Sequence, residues 1–288
     1  MLFELLEFGI RGLFLGVTIG LIALPISILF LTTDSVDLAV GGYAVLAGAV
    51  TLMVSPTAGV LVGAIAGILI AMSASAVVGL ISLRLNRPGR HDHITVVLAT
   101  FGAAAFLESF VLTVFGKDPI VRRPFEDLWE VFGLLLNPQV FINFAVALTI
   151  LLVLSLFLYA TPFGRAMRAS SVNPLGASLA GIPVQGIWFS TYIIGGLLAG
   201  IAGALIVNTT GMDYMSGLSF TLGAFGAAIL FGLRSPLRAF VGGIVMGMVQ
   251  AYSAGYLPGA WATALPLGFI FVVLSAGRMT RSATGGRA

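Results

Sequence analysis

Apolar residues run along this chain in long continuous stretches, broken by short clusters of charge or by Pro and Gly. The runs lie near residues 11–32, 36–54, 57–83, 94–116, 139–160, 185–207, 215–233 and 236–256, with a ninth at 259–276. About 20 consecutive apolar residues suffice for an α-helix to cross the hydrocarbon core of a bilayer, and the run at 57–83 is long enough to cross with tilt. The ~10-residue alternating segments of a membrane β-barrel are not the pattern here. The expected fold is therefore all-α, a polytopic integral membrane protein with 8–9 transmembrane helices, forming one domain over residues 1–288.

Composition agrees. Hydrophobic residues make up 59% of the chain and charged residues 9%, where a soluble domain carries about a quarter charged. The 37 glycines cluster inside the runs, as in "GGLLAGIAGAL" and "VGGIVMGMV", a small-xxx-small spacing that lets helix backbones approach closely in lipid. The net charge of +3 does not point to nucleic acid, because no basic–aromatic cluster accompanies it and cytoplasmic loops gather Lys and Arg during insertion. With no cysteine, disulfides and thiolate metal sites are excluded. The opening "MLFELLEFGIRGLFLG" starts acidic and lacks an A-x-A cleavage site, so the first run is expected to remain in the mature chain.

Arginine gives the orientation. Arg84, Arg87 and Arg90 share one loop, Arg165 and Arg168 another, Arg234 and Arg238 a third, and Arg278, Arg281 and Arg287 the tail. All fall on one side if nine runs cross. The other side receives the 117–137 loop, where Asp118, Glu126, Asp127 and Glu130 outnumber Lys117, Arg122 and Arg123. The excess of positive charge on the cytoplasmic side then predicts an inner-membrane protein with its N-terminus outside and its C-terminus in the cytoplasm.

Few residues offer chemistry. Gly116-Lys117 is followed by Asp118 and lacks the upstream glycine of a phosphate-binding loop. His91 and His93 flank Asp92, but a metal site would need further ligands, and a solvated loop is the simpler reading. No Ser/His/Asp arrangement is placed on an exposed turn. The segment "TPFGRAMRASSVNPLGASLAGIP", residues 161–183, is different: too apolar for a solvated linker and too polar to cross a bilayer. Gly164 to Ser170 can form one or two helical turns with Arg165 and Arg168 on one face. Asn173 then reads as an N-cap with Pro174 in the first helical position, and Gly181 as the residue that closes the second piece before Pro183. Such a surface element either anchors to headgroups or docks a partner.

The spacing T-x-x-G-R-A-x-R-A followed by N-P-x-x-A-x-x-x-G-I, and then "GGLLAGIAGAL", resembles the permease subunits of branched-chain amino acid ABC importers. The likeness extends over about 10–276, through "GVTIGLIALPISILFLTTDSVDLAVGGYAVLAGAV", "LRLNRPGRHDHITVVLATFGAAAFLESFVLTVFG" and "FGAAILFGLRSPLRAFVGGIVMGMVQ", and is most specific over 161–204. It implies a non-enzymatic transmembrane subunit that moves a small polar solute, branched-chain or other amino acids foremost. It also implies a second permease subunit, identical or homologous, two ATP-binding subunits and an extracytoplasmic solute-binding protein. ATP and Mg would bind the ATP-binding subunits and no cofactor this chain. By that resemblance, residues 161–183 insert into the ATP-binding subunit, with Gly164, Arg165, Arg168, Asn173, Pro174, Ala177 and Gly181 in the coupling element. Small residues such as Ala166, Ala169, Ala177 and Gly181 are expected to permit close docking. Two stretches depart from the family pattern. Asp37-Leu38-Ala39-Val40-Gly41-Gly42 resembles instead the D-L-S-V-G of sugar-importer permeases, and Phe231-Gly232-Leu233-Arg234-Ser235 stands where G-G-x-G-S is usual. The cargo thus stays open between amino acids and sugars or nucleosides.

An ion-coupled secondary transporter would need ionisable groups within the membrane, and only Glu108 lies deep. Asp37 and Glu108 are the candidates for a translocation path or for a buried polar role. For Glu108 the two readings are a path carboxylate meeting an ammonium group, and a structural carboxyl bonded to Ser109, Thr113 or a neighbouring span.

Overall fold

The computed structural model describes residues 2–85, 93–122, 124–125, 129–131, 134–257, 268–269 and 271–272. Expectations placed on Arg87, Arg90, His91, Asp92, Arg123, Glu126, Asp127, most of the run 259–276 and the arginines of the tail lie outside these residues, as does the side chain of His93.

Seven of the described helices are long and apolar enough to cross a membrane. They are α1 (Leu2–Thr33), α2 (Val40–Ala58), α3 (Val60–Leu85), α4 (His93–Phe115), α5 (Pro138–Ala160), α8 (Val184–Ile206) and α10 (Pro236–Tyr256). Two short helices, α6 (Pro162–Val172) and α7 (Pro174–Leu179), join α5 to α8, and α9 (Ser216–Phe231) precedes α10. The multi-pass, all-helical architecture follows the apolar runs. Three features do not. The segment 34–39, which takes in the start of the run expected at 36–54, is non-helical. Helix α9 has 16 residues, ~24 Å at ~1.5 Å per residue, short of the ~30 Å hydrocarbon core. The 117–137 loop contains an antiparallel pair, β1 (Trp129–Val131) with β2 (Leu134–Leu136), in which Trp129 faces Leu136.

Helix α1 is the central element. Leu21, Ile22, Leu24, Ile26, Ile28 and Leu29 are all buried, so over residues 20–29 it is enclosed on every side. Its longest partner is α10, and the α2–α3 hairpin packs on α8. Glycine sets these distances, because lipid supplies no hydrophobic force between helices and close van der Waals contact must. A Cβ on Gly247 would run into the backbone of Gly16, and one on Gly243 into that of Gly20. The same holds for Gly203 against the Ala44 carbonyl and Gly41 against the Gly217 carbonyl. The outer faces of α3, α4 and α5 stay apolar and exposed, with Leu61, Phe106 and Leu152 among them.

Two elements begin inside the bundle. The Leu38 amide donates to Thr100 Oγ1 at 3.2 Å, and Thr100 lies ~10 Å along α4 from its start. Unpaired backbone groups at such depth cost several kcal/mol each. Side chains satisfy this stretch: Asp37 Oδ1 accepts from Ala39 N at 2.8 Å, Thr221 Oγ1 donates to Leu38 O at 3.2 Å, and Thr221 Oγ1 accepts from Gly41 N at 2.8 Å. Thr221 thereby ties the start of α2 to α9, whose own first turn lies beside Gly41 and Gly42.

Candidate functional site

The segment 161–183 forms two capped helices at one end of the bundle. Thr161 caps α6, its Oγ1 accepting from Gly164 N at 3.0 Å, with Pro162 in the first turn. Gly164 sits where any side chain would strike the carbonyls of Phe157 and Leu158, which folds α6 back onto the end of α5. Asn173 ends α6 and begins α7; its Oδ1 accepts from Gly176 N at 2.9 Å, with Pro174 next. Gly181 closes α7 at φ 83°, and the bonds Gly181 N to Ser178 O and Ile182 N to Ala177 O, each 3.0 Å, make a Schellman motif around it. The caps expected at Asn173, Pro174 and Gly181 are all present; the cap at Thr161 and the full 11-residue length of α6 are additions.

The outward face differs from expectation. Ala177 is 6% exposed and points into the protein, so it does not belong to a docking face of small residues; Ala166 is half-buried, and Ala169 and Gly181 are exposed. What projects outward instead is Val172 at 81%, Leu175 at 71% and Leu179 at 82% exposure. Arg165 is exposed, its Nη1 donating to Ala160 O at 3.3 Å, while the Arg168 guanidinium lies over the Tyr159 ring at 4.8 Å. The two arginines therefore do not act as one charged pair. The three apolar residues were legible in the sequence only if the inward face of each short helix was known, and Met167 and Ala177 define it after the fact.

Behind this face lies a cavity of about 230 Å³. It is lined by Thr32, Thr33 and Asp34 at the end of α1, by Ser170 and Ser171, and by Arg234 from the turn between α9 and α10. Asp34 adopts a left-handed φ of 53° and its Oδ1 accepts from Arg234 Nη2 at 2.7 Å. Ser27 Oγ donates to Leu233 O at 2.6 Å, so α1 and the α9–α10 turn are joined twice. The loops after α1, α5 and α9 thus share one end of the molecule. The opposite end brings the stretch after α4 against the stretch after α8, where Ile120 and Met212 exchange backbone bonds of 2.8 and 3.0 Å.

The two deep carboxylates have different settings. Asp37 is 1% exposed, and besides Ala39 N its Oδ2 accepts from Tyr43 Oη at 3.1 Å. It is a structural clasp for the start of α2. Glu108 is half-buried and lines a narrow groove with Gly42, Leu107, Tyr214, Gly217 and Leu218. The bonds expected from Ser109 or Thr113 are not made; Thr113 Oγ1 donates to Ser109 O at 2.7 Å. Among the described residues, no three His, Cys, Asp or Glu side chains stand together as a metal site.

Residues 9–274 match the family described as "Branched-chain amino acid transport system / permease component". The chain belongs to that family. It is 29% identical, over 84% of its length and 79% of the other's, to the "Probable branched-chain amino acid transport permease protein LivH" of Methanocaldococcus jannaschii. It is 28% identical, over 84% of its length and 71% of the other's, to the "L-arabinose ABC transporter permease protein AraH" of Azospirillum brasilense. Among solved structures, PsaBC from Streptococcus pneumoniae in complex with Fab shares the fold, at a TM-score of 0.51 and 13% identity with 95% of each chain covered. For this family of permeases, the exposed face of α6 and α7 and the groove beside Glu108 become the two places to look for function.

Proposed function

We propose that this chain is the membrane-spanning subunit of an ATP-driven importer for branched-chain or similar amino acids. Two such subunits stand side by side, two ATP-binding subunits, which bind ATP and Mg, sit on the cytoplasmic face, and a solute-binding protein delivers cargo from outside. The N-terminus lies outside and the C-terminus in the cytoplasm, with the seven described membrane-length helices and the run 259–276 as spans and the shorter α9 entering from within the bundle. The observation that carries the reading is the outward apolar trio Val172, Leu175 and Leu179 on a doubly capped helix pair. Three large apolar side chains on a water-side turn are costly to leave hydrated, at ~25 cal/mol per Å² of apolar surface, and they suit a protein groove that covers them. Capping at Thr161 and Asn173 makes the pair rigid enough to transmit a push, and Gly164 seats it against α5.

Replacing Leu175 and Leu179 with Asp tests this. The expected outcome is loss of co-purification with the ATP-binding subunit and loss of import, while the permease still inserts and accumulates. Normal assembly by the double variant would make the trio a membrane anchor. A sugar cargo is the second reading, favoured by the Asp37-Leu38-Ala39-Val40-Gly41-Gly42 stretch and by the likeness to the arabinose permease. Uptake of leucine against L-arabinose by the reconstituted transporter separates the two.

A further inference from the structure

Glu108 lies ~6 Å beyond the middle of α4, and no hydrogen bond or ion pair among the described residues reaches its carboxylate. A carboxylate facing lipid near that depth costs about 3 kcal/mol even on mild insertion scales. The groove around it is lined by small and apolar residues and by Tyr214. The group that meets it is therefore not among the described residues of its own chain. Among the described residues, a second copy of this chain has no cation to offer there. The described Lys and Arg side chains stand at helix ends or in loops, apart from Arg11 in the outer part of α1, whose Nη2 is held by Glu7 Oε1 at 2.8 Å.

The groove is also built unlike a lipid-facing surface. It runs between α4 and the starts of α2 and α9, the two elements that begin inside the bundle, and interrupted backbone at membrane depth is tolerated where it is buried or lines a water-filled path. Exposed hydroxyls of Ser109 and Ser219 stand on the same two helices, α4 and α9, and Ser216 Oγ donates to Asp213 Oδ1 at 2.7 Å just before α9. A carboxylate and an aromatic residue lining one groove suit a primary ammonium group, which gains charge pairing from the one and attraction to the ring face of the other. With one carboxylate and one ring, the contact is weak enough to release what it receives.

We propose that Glu108 selects cargo within the membrane: its carboxylate, together with Tyr214, receives the ammonium group of an amino acid passing along the α4–α9 groove. The inference rests on the amino-acid reading above. The test uses the complete reconstituted transporter with wild type, Glu108→Gln and Glu108→Asp, and leucine as probe. Glutamine keeps the shape and removes the charge. Loss of one charge-assisted contact should cut leucine import about tenfold in E108Q, with the complex still assembled, and E108D should recover a clear part of it. Equal import by wild type and E108Q overturns the proposal while leaving the amino-acid reading intact. Loss of complex assembly in E108Q also overturns it, making Glu108 a strut to another subunit. A wild-type transporter that imports L-arabinose and not leucine overturns the amino-acid reading, and the ammonium partner with it.

Discussion

Ala177 and Gly181 lie four positions apart in the same helix pair, and each resists substitution for its own reason. Ala177 is packed inside, so a large side chain there would push α7 off the bundle instead of blocking a partner. Gly181 has open space around it, with nothing within 4 Å of a built Cβ, but holds φ 83°. A left-handed backbone costs an ordinary L-residue ~1–2 kcal/mol and Asn less, because its short polar side chain can bond locally. Gly181→Ala should therefore lower the melting temperature of the detergent-purified protein by a few degrees, and Gly181→Asn should lower it less. Equal melting by the two variants would show that backbone strain is not what glycine avoids here.

At the scale of elements, apolar length located the helices and told little about where they start. The apolar runs 11–32 and 36–54 leave a gap at 33–35, close to the observed break at 34–39; that the second helix starts only at Val40 shows in the bonds that Asp37, Thr100 and Thr221 make to the backbone. The short strands at 129–136 were hidden, since three-residue strands carry no period to read. In the connecting segment the caps were legible because Asn-Pro and Gly-Ile-Pro are local chemistry. Which face turned inward was not, because it depends on α5 and α1. Glycine pairing was half legible: the spacing announced close packing but not which helices would meet. That pairing predicts a contrast. Gly247→Leu would clash with the backbone of Gly16 and should cost at least ~1–3 kcal/mol, seen as poor accumulation in the membrane and a lower melting temperature. Gly102→Leu meets nothing within 4 Å and should leave both unchanged. Similar losses from both variants would mean that bulk alone, and not the α1–α10 contact, is the cause.

For the whole molecule, the bundle has two chemically distinct ends, and the sequence contains no cysteine to confuse a labelling experiment. Single cysteines at the exposed positions Asp118 and Ser178 should report opposite sides. An impermeant thiol reagent should label position 118 in intact cells and position 178 only after the membrane is opened; the reverse pattern would invert the protein. The α1–α10 seam has a further consequence, in time. Gly16 rests on Gly247, so the central helix meets its principal mate only after about 230 more residues have been synthesised. At ~5–20 residues per second, that is a wait of ~10–50 s. Until then the glycine face of α1 borders lipid or the insertion machinery, and the newborn chain is a half-closed bundle with its seam open. A ribosome that stalls before α10 leaves that seam permanently unzipped, which makes late truncations of this chain natural targets for membrane proteolysis.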